Sequence, residues 1–390
     1  MRLANLIKKK FGKIINPDEQ PSQPVPETKI NGTTPSAQES KPGEANKLSI
    51  SEISKSEAMG NTGCFPEAAA KIASRINPEA VYGRLIKEAG NLMENVRKGN
   101  FELGGNLTGL FSQLKELIVS DQQDLLELAD KATPINYLCG HIVNVVIFSL
   151  RLGFALKKSA EELTQLTWAA FLHDLGMIDL LPAALESQKF SVKEKIKFRS
   201  HSVASWEKLQ RLNNLPAGVK TEIGPIILQV HERWLGQGYP QALREKEIHP
   251  LARLLALADT YEALTHPRNW RQRYIPYQAI KLLIEEGGRE FDPSLLKSLI
   301  SSFSLFPTGS YVRLSSGEIG KVVKVFSESP TRPQVRALVN SQGQKIKEEK
   351  IVDLSQNYML NVEGAVDETS LKIDDGKYVL ALRLSRWWTE

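Results

Sequence analysis

The chain has 390 residues, of which 41% are hydrophobic and 24% charged, and its net charge is +5. That is the composition of a globular protein with room for two or three domains. Lys and Arg are spread along the chain rather than massed in a patch, so neither DNA nor RNA is expected as a partner. Two cysteines, Cys64 and Cys139, without CxxC spacing exclude a disulfide-built scaffold and suit a reducing, cytoplasmic setting.

The N-terminus, MRLANLIKKKFGKII, places Leu3, Ile7, Phe11 and Ile14 at helical spacing with Arg2, Lys8, Lys9 and Lys13 between them. It lacks a signal peptide's continuous apolar core. As a basic amphipathic segment, residues 1–16 suit peripheral contact with an anionic membrane. Residues 17–47 are rich in Pro, Ser, Glu and Thr and too poor in apolar side chains to offset an ordering entropy, so they read as a disordered linker.

Helical patterning follows. PEAVYGRLIKEAGNLMENV and LTGLFSQLKELIVSDQQDLLELA repeat apolar residues every three or four positions, which predicts an N-terminal helical region within 48–132. It carries no motif and suits a scaffold or homodimer element. LCGHIVNVVIFSLRLGFAL is apolar almost all round and predicts a central buried helix. No apolar run reaches the roughly 18 residues of a membrane span. Ser191 and Glu194 form a capping-box signature, and Pro250 opens PLARLLALADTYEAL at a favoured first-turn position. The texture changes at Phe306, where two short β-rich stretches surround Ser-Gly and Gln-Gly turns and a third carries Asp-Gly. Residues 306–390 therefore predict a small antiparallel β domain, a barrel or a sandwich.

The stretch FLHDLGMIDL sets His173 and Asp174 together in an apolar run. His141 lies on the central buried helix beside Leu138 and Val145. His201 falls inside the capped helix, and His231 follows Ile227 and Leu228 at the end of another. Asp259 shares a stripe with Leu251 and Leu255. A single histidine on an apolar face is ordinarily a satisfied core residue. A buried aspartate must find a cation or strong donors, and Arg253 is one candidate partner. Six such residues, delivered singly or as a pair by successive helices, point to a metal site in a bundle core. Imidazole and carboxylate without thiolate suit iron, manganese or zinc. Six ligands exceed what one zinc needs and suit two ions about 3.5–4 Å apart.

The order His, His-Asp, His, His, Asp resembles the HD superfamily of metal-dependent phosphohydrolases. HERWLGQGYP after the fourth histidine, LARLLALADTYEALTHPRNWR, and the run from Glu290 to Val323 resemble its HD-GYP branch, over about residues 80–345. The resemblance implies a mainly α fold, an HD-superfamily helical bundle over 133–305 followed by the small C-terminal antiparallel β domain. It implies hydrolysis of cyclic di-GMP, to linear pGpG, GMP or both, through a metal-bridging hydroxide at two divalent ions, iron or manganese. His141, His173, Asp174 and Asp259 would hold one ion, and Asp174, as catalytic bridge, would reach a second held by His201 and His231. Arg268 and Arg271 match arginines near the substrate and suit bidentate pairing with phosphate. Gly236 and Gly238 would let the loop approach a ligand, with Tyr239 packing the loop or touching a base.

The chain departs from the family pattern at several positions. Val230 stands where a further histidine is usual and Leu235 where an acidic residue is usual. Met177 replaces a lysine; the lysine expected further on falls at Ser187, with Lys189 close by; and Tyr137 replaces a Glu that would serve a third ion. The second ion's ligand set is therefore thinned. Besides the phosphodiesterase, two readings stay open: a degenerate HD-GYP domain acting as a nucleotide- or partner-binding signalling module, and a phosphohydrolase of another nucleotide or phosphoester.

Overall fold

The computed structural model describes residues 76–120, 125, 128–129, 137–180, 191–268, 272–326 and 328–367. The expected amphipathic segment and linker, the Asp-Gly turn near residue 375, and Ser187, Lys189 and Arg271 lie outside these residues.

Among the described residues ten α-helices precede one sheet. Helix α1 (Pro78–Arg97) starts where Asn77 accepts a hydrogen bond from the Ala80 amide, with Pro78 needing no amide partner in the first turn. Helix α2 (Leu107–Val119) turns Leu110, Phe111, Leu114 and Leu117 inward. Helix α3 (Tyr137–Ala155) is buried on nearly every side. By length and composition it is apolar enough to cross a membrane, contrary to the expectation from apolar runs, but 83% of its most apolar window is buried in the fold. Its hydropathy reflects a position at the centre of the bundle.

Helix α4 (Ala160–Leu172) begins with a capping box between Ser159 and Glu162, and α5 (Val192–Arg199) with the expected one between Ser191 and Glu194. Helices α6 (His201–Arg211), α7 (Val219–Gln229), α8 (Pro250–Thr265), α9 (Pro276–Glu285) and α10 (Pro293–Phe303) complete the helical part. Pro occupies the first helical turn of α8, α9 and α10, where its fixed φ favours initiation.

One continuous apolar cluster runs from Val81 of α1 through α3, α4 and α8 to Val312, Val335 and Val352 of the sheet. Phe111 ties α2 to α4 by edge contacts with Trp168 and Phe171, at ring-centroid separations of 4.9 and 5.4 Å. Phe148 of α3 meets Tyr261 of α8 and Phe303 of α10 in the same way.

The sheet comprises β1 (Tyr311–Leu314), β2 (Ile319–Lys324), β3 (Gln334–Val339), β4 (Lys345–Asp353) and β5 (Val362–Val366). Every pairing is antiparallel, in the order β4-β3-β2-β1-β5. Alternation is plain in β3, where Val335, Ala337 and Val339 are buried while Arg336 is exposed. The small antiparallel β domain expected from sequence is present as a single five-stranded sheet among the described residues. It is fixed to the bundle at Ser304 and Leu305, whose hydroxyl and amide both donate to the Pro330 carbonyl.

Because α2 shares its core with α4, Phe111→Ala is expected to cost about 3–5 kcal/mol of unfolding free energy. Urea denaturation followed by far-UV circular dichroism measures this; an unchanged midpoint would mean that α2 folds apart from the bundle.

Candidate metal centre

The His-Asp pair sits where α4 stops. His173 caps the helix, and Asp174 (φ −105°, ψ 17°) leads into a 3-10 turn, Leu175–Asp179. Gly176 explains what this turn packs against. A Cβ there would collide with the His201 carbonyl and the Ser205 amide, while the Gly176 amide donates to the Ser205 hydroxyl at 2.8 Å. The turn therefore lies directly on the first turn of α6 and brings Asp174 to His201.

All six predicted ligands converge. His141 Nε2 lies 3.3 Å from both Asp174 Oδ2 and Asp259 Oδ1. His173 Nε2 lies 3.6 Å from Asp174 Oδ1 and 3.9 Å from Asp259 Oδ1, and His201 Nε2 lies 3.4 Å from Asp174 Oδ1. His231 reaches Asp259 with Nδ1 at 4.0 Å and His201 with Nε2 at 2.6 Å. The atoms form two groups able to hold a metal ion, one of His141, His173 and Asp259 and the other of Asp174, His201 and His231. Asp174 adjoins members of both. Arg253 does not serve Asp259; it pairs with Asp292 at 2.7 Å.

The imidazoles are oriented for ligation. His173 directs Nδ1 to the Ala170 carbonyl at 2.8 Å, and His201 directs Nδ1 to the Phe198 carbonyl at 2.5 Å. With Nδ1 donating to an acceptor, Nε2 keeps its lone pair and faces the cluster. His173 Nε2 is buried and has no hydrogen-bond partner, an arrangement a cation would satisfy. The donor set, imidazole and carboxylate without sulfur, fits a hard or borderline divalent ion.

Without an ion, the charges of the cluster balance one another. Burial alone would strip the proton from His141, but the Glu262 charge and the bonds to Asp174, Asp259 and Glu262 outweigh it and hold the imidazolium pKa well above its ordinary value. Burial likewise opposes charge on the two aspartates, yet the surrounding histidines keep both ionised. The bond from His141 and the charges of His141, His231 and His173 bring Asp259 down to about 2, and Asp174 is pulled lower still by His173, His141 and His201. Burial and the neighbouring His201 push His231 the other way, well below the usual imidazole range.

The Gly-Tyr-Pro loop acts on the site through His231. A Cβ on Gly238 would strike the Arg233 amide, the Glu232 Cα and the His231 carbonyl, so only glycine lets the loop fold this closely over the end of α7. Gly236 takes φ +74° in the turn before it. The Tyr239 amide donates to the His231 carbonyl, and its ring stacks on the His231 imidazole at 5.0 Å. Buried Glu232 clamps the far side by accepting from the Gln241 and Leu243 amides at 2.7 and 3.1 Å. Leu235 is 38% exposed, whereas Val230 and Met177 are buried.

Sequence reasoning passed over Glu262. Its carboxylate is buried and lies 2.5 Å from His141 Nδ1. Glu262 stands three residues after Asp259 on α8, and that spacing was the available signal. Arg268, expected near phosphate, reaches Glu262 Oε2 at 2.9 Å and covers the Tyr137 ring at 4.0 Å.

The comparisons agree with this geometry. Residues 113–295 match the model of the HD domain and residues 311–374 that of the KOW domain associated with HD domain. Over residues 113–295 the chain thus resembles HD-domain proteins. It is similar to a cyclic di-GMP phosphodiesterase of Pseudomonas aeruginosa, 25% identical over 68% of this chain and 63% of that one. It is also similar to the cyclic di-GMP phosphodiesterase PdeB of Borreliella burgdorferi, 23% identical over 63% of this chain and 64% of that one. A third relative, a 3'3'-cGAMP-specific phosphodiesterase of Vibrio cholerae, is 27% identical over 43% of this chain and 31% of that one. The match therefore spans just under two thirds of the length of the first two relatives. Among solved structures, an HDG"Y"P protein from Bdellovibrio bacteriovorus aligns with a TM-score of 0.40 and 17% identity, over 64% of this chain and 75% of that one.

Two outcomes are expected. Asp174→Ala, which removes the carboxylate adjoining both groups, should release bound metal on dialysis, as elemental analysis would show; full retention would remove Asp174 from the site. In the metal-free chain, Asp259 has a folded pKa near 2 against an ordinary 3.8. Its stabilisation is complete above that ordinary value and is lost as pH falls through about 2. Asp259→Asn should flatten the drop in melting temperature between those limits.

Proposed function

We propose that the chain is a metal-dependent phosphodiesterase that hydrolyses cyclic di-GMP to linear pGpG, GMP or both, in second-messenger signalling. The observation that supports this most is the placement of Asp174 Oδ1 and Oδ2 against histidines of both ligand groups. One carboxylate between two sets of imidazoles is what two neighbouring ions require.

In this reading His141, His173 and Asp259 would hold one divalent ion and His201 and His231 the other, with Asp174 available to both; iron or manganese suits the donors. When bound, the ions supply Lewis acidity toward the phosphodiester oxygens and acidify water for attack on phosphorus. The protein's own part is positional. The carbonyls of Ala170 and Phe198 fix the His173 and His201 rings, and the folded Gly-Tyr-Pro loop fixes His231. The apolar walls keep the ionised aspartates out of bulk water, which strengthens their hold on cations. Tyr239, stacked on His231, would touch a base, Gly236 and Gly238 would let the loop approach the ligand, and Arg271 would meet phosphate.

A second reading rests on two buried apolar residues beside the centre. Val230 adjoins His231 and Met177 follows Gly176; both are buried and stand where the HD-GYP resemblance implies a histidine and a lysine. On this reading the domain binds a cyclic dinucleotide without turning it over.

One experiment separates them. Anaerobically purified protein is assayed for metal and then offered cyclic di-GMP and 3'3'-cGAMP in parallel. Near two ions per chain with production of linear dinucleotide or GMP from cyclic di-GMP is the expected result. Binding without turnover favours the second reading, and turnover of 3'3'-cGAMP alone replaces the substrate.

A further inference from the structure

The residues behind His141 form a connected buried set that the ligand roles leave unused. Glu262 Oε2 accepts on two sides, from His141 Nδ1 at 2.5 Å and from Arg268 Nη2 at 2.9 Å. Its other oxygen lies 3.5 Å from the Asn144 amide and 3.4 Å from His266 Nδ1. Asn144 is itself held by the Tyr82 hydroxyl of α1 at 2.9 Å, and His266 Nε2 meets the Ala129 carbonyl at 2.8 Å. The Arg268 side chain is 5% exposed and that of Glu262 2%. Its guanidinium lies over the Tyr137 ring, and that ring in turn stacks on His141 at 6.1 Å with an interplanar angle of 16°.

A buried carboxylate is costly unless paired and fully hydrogen-bonded. Here it has a cation on one side and an imidazole on the other. A carboxylate at the outer nitrogen of a metal-ligating imidazole fixes the ring's orientation and tautomer and raises the basicity of the inner nitrogen. Arg268 holds the same oxygen and so prevents the carboxylate from turning away. The guanidinium is buried against the Glu262 carboxylate and lies over the Tyr137 ring.

We propose that Glu262 and Arg268 are positioning residues for the first ion: Glu262 sets the His141 imidazole, and Arg268 locks Glu262 instead of gripping substrate. Tyr137 completes the device by covering both Arg268 and His141. The proposal rests on the metal-binding part of the function above and is independent of which nucleotide, if any, is hydrolysed.

The test is a manganese titration of the full chain, metal-stripped and without nucleotide, against a competing chelator. Glu262→Ala should weaken the tighter ion about 10- to 100-fold. Glu262→Gln, which retains an acceptor for His141 Nδ1, should recover part of that loss. Arg268→Met should also weaken it, by a smaller factor, with no nucleotide present. The melting temperature of each metal-free variant is measured alongside. A folded Glu262→Ala that binds manganese as tightly as the parent overturns the proposal. So does an Arg268→Met that leaves manganese affinity unchanged and raises only the KM for cyclic di-GMP, the outcome for a substrate arginine. If Glu262→Ala does not fold, Glu262→Gln and Arg268→Met decide on the same criterion. Absence of cyclic di-GMP turnover in the parent, with these metal affinities as expected, would count against the substrate and leave the positioning roles standing.

Discussion

Two carboxylates held ionised inside an apolar helical bundle are the constraint on which the rest of the structure depends. Moving an unpaired carboxylate from water into such an interior costs several kcal/mol or more, and a protein ordinarily avoids it or neutralises the group. Asp174 and Asp259 stay charged because four imidazoles surround them. The fold therefore has to bring α3, the end of α4, α6, α7 and α8 to one point, and each helix boundary near the site serves that end. Helix α4 stops at His173, α6 begins at His201, and α7 ends just before His231.

The outer face of the cluster is as specified as the inner one. Backbone carbonyls of Ala170 and Phe198 set two rings, a carboxylate sets a third, and a stacked tyrosine covers the fourth. Glycine matters at two points for the same steric reason: Gly176 and Gly238 each let one backbone lie against another where a side chain would push the ligands apart. Sub-ångström placement of metal ligands depends on such supports, because the ion cannot choose its donors if the rings are free to turn.

The helices before the His-Asp motif and the C-terminal sheet are continuous with this centre. Tyr82 of α1 reaches the His-Asp cluster through Asn144 and Glu262, and Phe111 of α2 packs on the helix that ends at His173. The sheet's Val312 and Val335 share the bundle core as well. A perturbation of either end thus has a packed path to the ligands, through side chains rather than through loops.

The sequence alone singled out the six candidate ligands, because few histidines on successive apolar faces are improbable as mere core residues, and it determined the mainly helical bundle with its β appendage through periodicity and turn residues. Local chemistry sufficed there: the capping box at Ser191 and Pro250 in a first helical turn act within a few residues of the chain. The roles of Glu262 and Arg268 were not legible, since the partners that define them, His141 and Tyr137, lie more than a hundred residues away, and the spacing from Asp259 puts Glu262 near the same face without naming its partner. The tight packing of Gly176 on α6 was hidden for the same reason. Only tertiary structure decided which buried charge meets which ring, because that depends on where separate helices stop in space, and no local pattern in the chain encodes it.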